Sequence, residues 1–193
     1  MPNWCSVSIH LKFATPEDGK AYAEKIDRRV ERNGRLEHPL NIGAERLLFD
    51  SERFSDTDGV EHINGEVKWA FERDDFVGVV KDAGDKLVWA DCRYCEEGNC
   101  IKGVYGWTRE HPDQITDKYI AEKDWPELDD DADTDSDEVW EEWARRLDEV
   151  LEKSETHKYT FAEVEQQRVA RERWMEEVTA TITHREPEDA KED

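Results

Sequence analysis

The sequence predicts an α+β protein, and three stretches carry that reading. Val7, Ile9, Leu11 and Phe13 alternate with Ser6, Ser8, His10 and Lys12, the period of two expected of a strand with one face buried. Directly after it, Thr15 offers a hydroxyl N-cap, Pro16 suits the first helical position, and Glu17 and Asp18 sit where a helix dipole is positive. Leu87 to Trp107 reads as two strands joined by a polar turn at Glu96, Glu97, Gly98 and Asn99, because Gly and Asn tolerate positive φ.

The elements follow in chain order. Tyr22, Ala23, Ile26 and Val30 give the first helix an apolar stripe, and Asn33 with Gly34 marks its end. Residues 35–60 are interrupted by Pro39, Gly43 and Gly59, and only Ala44 to Phe49 looks helical, so the stretch reads as a loop with a helical turn or two. Glu61 to Phe71 reads as a strand, since Ile63, Val67, Trp69 and Phe71 are spaced by even numbers; Gly65 weakens it or marks a bulge. Phe76, Val77, Val79 and Val80, between Asp74 and Gly84, predict a short second helix. In the hairpin, Val88, Ala90, Cys92 and Tyr94 fall on one face and Trp89, Asp91, Arg93 and Cys95 on the other. The resulting order suits an antiparallel or mixed sheet with its helices on one face, spanning residues 1–108.

Beyond Trp107 the character changes. Residues 109–136 contain Pro112 and Pro126 and end in a dense acidic run, which reads as a linker because close like charges oppose compaction. Residues 137–182 predict a helical hairpin extension. Val139, Trp140, Trp143, Ala144, Leu147, Val150 and Leu151 recur at helical spacing, with Asp135 and Glu138 as a capping pair. Thr160 and Glu163 form a capping box for the second helix, whose stripe of Phe161, Val164, Trp174 and Val178 is weaker. Residues 183–193 form a charged tail.

The formal charge is −23, and it is uneven: net −7 through residue 120 and −16 beyond it. Such a surface repels nucleic-acid phosphates and anionic membranes and attracts basic proteins. The first thirteen residues alternate from the start rather than forming an apolar signal core, and no later run approaches the roughly 20 apolar residues of a membrane span. A cytoplasmic location with reduced thiols is the expectation.

Three motifs invite a comparison: Met1, Pro2, Asn3, Trp4 and Cys5 leading into a strand; Asn64 with Lys68 and Trp69; and Tyr94 to Gly98 followed by Gly103 in the return strand. Together they resemble the YubB-like family of small phage and plasmid proteins, over residues 1–108 at most. The resemblance implies a ferredoxin-like domain and a mobile-element origin, with no established catalytic residues to carry over. The proline-containing Trp segment usual before the last hairpin of that family is not evident here, and the acidic C-terminal third has no counterpart.

Two clusters could hold metal. Cys92, Cys95 and Cys100, with Cys5, have zinc-like spacing, yet three residues apart on a strand Cys92 and Cys95 project to opposite faces, so small buried thiols are expected instead. Asp131, Asp133, Asp135 and Asp137 with Glu142 imitate a calcium loop, but Ser136 stands where the sharp turn wants glycine and Val139 at the ninth place, so a solvated acidic linker is expected. The histidines, His10, His38, His62, His111, His157 and His184, show no metalloprotease spacing, and no serine lies in a nucleophile-elbow context. No cofactor and no enzymatic activity are expected from sequence.

The expectation is therefore an interaction protein that engages a basic, nucleic-acid-binding host protein, a DNA-mimic inhibitor of a defence system such as CRISPR or restriction being one instance. Its binding residues would be Asp129, Asp130, Asp131, Asp133, Asp135, Asp137, Glu138, Glu141 and Glu142. The alternatives are acidity serving only solubility at high salt, and a zinc accessory protein using the cysteines.

Overall fold

The computed structural model describes residues 4–33, 48–56, 58–68, 70–96, 101–120, 122–126 and 136–183. The strictly alternating stretch forms strand β1 (Trp4–Phe13), followed by helix α1 (Pro16–Asn33), β2 (Leu48–Ser55), β3 (Val60–Lys68) and α2 (Arg73–Ala83). The hairpin strands are β4 (Leu87–Glu96) and β5 (Ile101–Thr108); then come β6 (Gln114–Ile120), α3 (Asp137–Lys153), β7 (His157–Thr160) and α4 (Phe161–Thr183). All seven strands join one antiparallel sheet in the order β2-β3-β1-β4-β5-β6-β7, so the class is α+β as expected.

β1 is the third strand in this order, flanked by β3 and β4. Cys5, Val7, Ile9, Leu11 and Phe13 are buried on one face with Ile63, Val67, Ala90, Cys92, Tyr94, Tyr105, Trp107 and Ile115 from the neighbouring strands. Tyr22 and Ile26 of α1, Phe76, Val77, Val79 and Val80 of α2, and Val164 of α4 cover that face. Each fully buried Ile, Leu or Phe here contributes about 1.5–3 kcal/mol relative to exposure. The first-helix signals act as read: the Thr15 hydroxyl accepts the Asp18 N–H at 3.2 Å, and at α4 Thr160 and Glu163 make their reciprocal bonds.

Three expectations need correction. The stretch 35–60 is not simply loop, because Leu48 and Phe49 begin β2, an edge strand whose polar residues and register shift between Phe49 and Glu52 hide its period; residues 34–47 lie outside the described residues. Gly65 does stand at a bulge, one of its two expected readings: it pairs in regular register with Val7 on one side, while on the other the β2 register shift between Phe49 and Glu52 sets two residues against it. Residues 109–136 are not wholly linker: β6 pairs with β5 from Thr116 to Ile120, and an inward-facing Asp117 near Ile115 disguised its alternation. Residues 137–182 are more than a helical hairpin, because β7 lies between the helices and pairs with β6. The cap of α3 is Ser136, and Asp135 lies outside the described residues.

Helix α4 packs beside α2, and Arg171 bridges to Asp74 at 2.9 Å and Glu72 at 3.1 Å. Helix α3 packs on β6 from the opposite side of the sheet: its Asp148 pairs at 2.9 Å with Lys102, which the register places across from Ile120 and Cys95, away from the main core. Ile120 and Leu147 are buried at this second contact, with Trp125, Trp143 and Trp140 in ring contact at its rim and the Trp143 indole donating to Pro126 O at 3.0 Å.

Among the described residues three acidic side chains are buried, Glu61, Asp75 and Asp117. Asp117, 1% exposed, accepts from Arg73 Nε at 2.8 Å and Nη2 at 2.6 Å, and the guanidinium lies 4.4 Å above the Tyr159 ring. Burial pushes the Asp117 carboxyl above its ordinary value while the Arg73 charge pulls it back down. A carboxyl raised in the folded state binds protons more tightly there than in the unfolded chain, so its effect on stability becomes less favourable as pH rises through its titration. Arg73→Met is expected to lower stability by about 2–4 kcal/mol at neutral pH, with a smaller loss where Asp117 is protonated; urea unfolding at neutral and acid pH reads both.

Tyr94 faces Gly103 across the hairpin and stacks on Tyr105 with ring centroids 4.7 Å apart. A Cβ on Gly103 would stand 2.3 Å from Tyr94 Oη and 2.8 Å from Lys118 O, which explains why a glycine follows the tyrosine into the return strand. Gly103→Ala is expected to cost about 1–3 kcal/mol in urea unfolding, with part of it regained in the Gly103→Ala, Tyr94→Ala double variant relative to Tyr94→Ala.

Candidate functional site

The polar side of β1 supplies the site. Because β1 is flanked by β3 and β4 in register, Ser8 stands between Asn64 and Arg93, His10 between His62 and Asp91, and Ser6 between Glu66 and Cys95. Cross-strand partners share a face, so these nine side chains form a grid on the face opposite the main core. Beside Ser8 the surface dips into a depression of about 440 Å³ bordered by Ser6, Asn64, Glu66, Arg93, Cys95 and Lys102.

The grid is joined by hydrogen bonds. His10 Nδ1 lies 2.8 Å from Asp91 Oδ1, and its Nε2 lies 3.2 Å from Ser8 Oγ. The Ser8 hydroxyl also reaches Asn64 Oδ1 at 2.7 Å. A second histidine sits next to the first: the His10 and His62 ring centroids are 4.8 Å apart, edge to face. His62 stacks on the exposed Phe54 ring at 4.4 Å, and its Nε2 lies 3.2 Å from Asp56 Oδ2. Asp56 accepts the Val60 N–H, which above all, with His62, holds its carboxyl below the usual range. This arrangement can orient an imidazole toward a hydroxyl, with the Asn64 amide oxygen accepting on one side and the Arg93 guanidinium on the other.

The sequence shows no catalytic spacing among His10, His62 and the serines. Alternation did place Ser6, Ser8 and His10 on one side of β1 and Asp91, Arg93 and Cys95 on one side of β4. What it lacked was the strand order, which brings Asp91 from 81 residues away to His10.

The predicted clusters fare differently. Cys5 and Cys92 are fully buried on the main-core face, and burial above all pushes the Cys92 thiol far up. Cys95 sits on the opposite face, as its pairing with Ser6 requires. Cys5, Cys92 and Cys95 form no disulfide; Cys100 lies outside the described residues. Among the described residues no three His, Cys, Asp or Glu side chains come together as metal ligands. Of the acidic set, Asp129, Asp130, Asp131, Asp133 and Asp135 lie outside the described residues, and Asp137 opens α3. Glu138 and Glu141 are exposed on α3. Glu142 is engaged by Arg145 and Arg146, whose hydrogen bonds hold its carboxyl down at about 2.

A scan against protein-family models and searches of curated proteins and solved structures find no match to this chain. No helix among the described residues is long and apolar enough to cross a membrane.

The thiol placement has a direct readout. At neutral pH a small alkylating reagent is expected to modify Cys95 at least about tenfold faster than Cys5 or Cys92, since reactivity follows exposure and thiolate fraction. Peptide mapping after timed quenching measures it, and urea should abolish the difference.

Proposed function

We propose that this chain is an interaction protein of phage or plasmid origin whose acidic C-terminal third docks on a basic, nucleic-acid-binding protein of the host cytoplasm. The observation that carries the reading is α3. Its seventeen residues hold seven carboxylates against three basic side chains, and Leu147 seats it on the sheet so that Glu138, Glu141, Glu149 and Glu152 face solvent. The stretch preceding it adds Asp129, Asp130, Asp131, Asp133 and Asp135 in immediate sequence. A docked row of carboxylates steers a basic partner and competes with its nucleic acid, the principle of a DNA-mimic inhibitor.

The strand order supports a ferredoxin-like reading of the first part of the chain. The run β1-α1-β2-β3-α2-β4 folds with the sheet order β2-β3-β1-β4, every pair antiparallel, and its Tyr94 and Gly103 pair gives a physical reason for the tyrosine and glycine of the hairpin, which resembles that of the YubB-like family. β5, β6 and β7 extend that sheet on the β4 side.

Capture with immobilised protein from a lysate of the source cell tests the function. A basic nucleic-acid-binding protein is expected at about 0.05 M salt and lost by about 0.3 M, as screening shortens the reach of exposed charges. Glu138→Lys with Glu141→Lys is expected to weaken capture at least about tenfold while leaving the urea midpoint nearly unchanged, because both side chains are solvent-exposed. Capture of no basic protein at low salt rejects the reading. Folding only in molar salt would favour acidity as a solubility adaptation instead.

A further inference from the structure

We propose that Ser8 is an activated nucleophile and that the polar face of the sheet is an acyl-transfer site for small esters. Three side chains from two strands form one relay, Ser8 Oγ to His10 Nε2 at 3.2 Å and His10 Nδ1 to Asp91 Oδ1 at 2.8 Å. The carboxylate of Asp91 can only accept, so Nδ1 carries a hydrogen, and in the neutral ring Nε2 then turns its lone pair to Ser8. The Ser8 hydroxyl has two acceptors within reach, His10 Nε2 and Asn64 Oδ1, and rotation about Cβ–Oγ moves its hydrogen from one to the other.

The surroundings fit the remaining requirements of the chemistry. Arg93 is the cross-strand neighbour of Ser8 on β4, so a guanidinium stands beside the place where a carbonyl oxygen would gain charge, while on the β3 side Asn64 Oδ1 accepts from the resting hydroxyl. The adjoining depression of about 440 Å³ holds a small acyl group; on its border Lys102 is engaged by Asp148 and Glu66 lies on the β3 side, so Arg93 is the group that would meet a carboxylate on the acyl chain. An ordinary polar sheet face needs only water to satisfy its side chains. Here serine, imidazole and carboxylate are ordered in the sequence nucleophile, base and orienting acid.

In the reaction Ser8 Oγ bonds to the ester carbonyl carbon as its proton passes to His10 Nε2. The tetrahedral adduct collapses by breaking the bond between that carbon and the alkoxide, which takes the proton and leaves as an alcohol. Water then attacks the carbonyl carbon of acyl-Ser8 and gives a proton to His10 Nε2; the bond between that carbon and Ser8 Oγ breaks, Oγ takes the proton back from His10, and the carboxylic acid leaves.

An alkyl fluorophosphonate and two p-nitrophenyl esters, the acetate and the hemisuccinate, test this on the full chain. The probe is expected to add once, at Ser8, by intact mass and peptide mapping. His10→Gln and Asp91→Asn are each expected to slow labelling at least about 100-fold, the lower range for loss of general-base assistance. Ser8→Ala should abolish both labelling and ester turnover, and Arg93→Gln should erase a preference for the hemisuccinate. Circular dichroism and urea midpoints establish that each variant is folded. Unlabelled folded protein, label spread over serines such as Ser6 and Ser154, or undiminished labelling in His10→Gln and Asp91→Asn would each overturn the assignment.

Discussion

The fold depends on the two-residue period of β1 and on that strand having a neighbour on each side. Through nine consecutive pairs with β3 the register runs without a break from Trp4–Lys68 to Lys12–Val60. A slip of one residue would turn Val7, Ile9 and Leu11 to solvent and drive Ser8, His10 and Lys12 beneath α1 and α2. Burying an imidazole and an ammonium there without partners costs several kcal/mol, so the apolar and polar halves of the strand enforce the same register. The main core and the polar grid are thus two consequences of one alternation.

The C-terminal third is tied to this sheet by directed polar contacts as much as by apolar area. Arg73, at the start of α2, reaches across to Asp117 of β6 and the Tyr159 ring of β7, and Arg171 of α4 returns to Glu72 and Asp74 at the same helix start. Phe161 N–H donates to Asp113 O at 2.8 Å, closing α4 onto the turn between β5 and β6. Asp117 is the only one of these groups buried almost completely, and Arg73 meets its carboxyl there, offsetting part of the burial that pushes it up.

Local signals were legible wherever one residue type has one structural use. The Thr15–Pro16 start of α1, the Thr160–Glu163 box of α4 and the period of β1 and β4 could be read directly, because each rests on contacts within a few residues. β2 and β6 could not, for opposite reasons. β2 is an edge strand with charged residues and a register shift, while β6 carries a charge on its buried side, and in both the period of two is broken by the residue that tertiary structure makes tolerable. The site was illegible for a further reason: each member lay on a correctly assigned strand face, but Asp91 meets His10, and Asn64 meets Ser8, only once β3-β1-β4 is known to be the order.

A polar face on an antiparallel sheet is ordinary, since one side commonly meets water, and polarity alone would say little about Ser8. The difference lies in how the hydrogen bonds are spent. On a face selected only for solubility, Ser, His, Asn and Asp have no reason to align by hydrogen-bonding direction, and long flexible charged side chains serve as well. Here the short side chains occupy the centre, with Lys12 and Lys102 towards the margins, and Lys102 is drawn to Asp148 of α3. That ion pair ties the acidic helix to the border of the depression, so the charge that dominates the sequence and the grid hidden in it meet at one residue. The excess of carboxylates lies on the helix, whereas the face around Ser8 sets Arg93 on β4 against Glu66 on β3 and Asp91 beside His10, so in a protein of net charge −23 an anionic small ligand would have to enter from the Arg93 side.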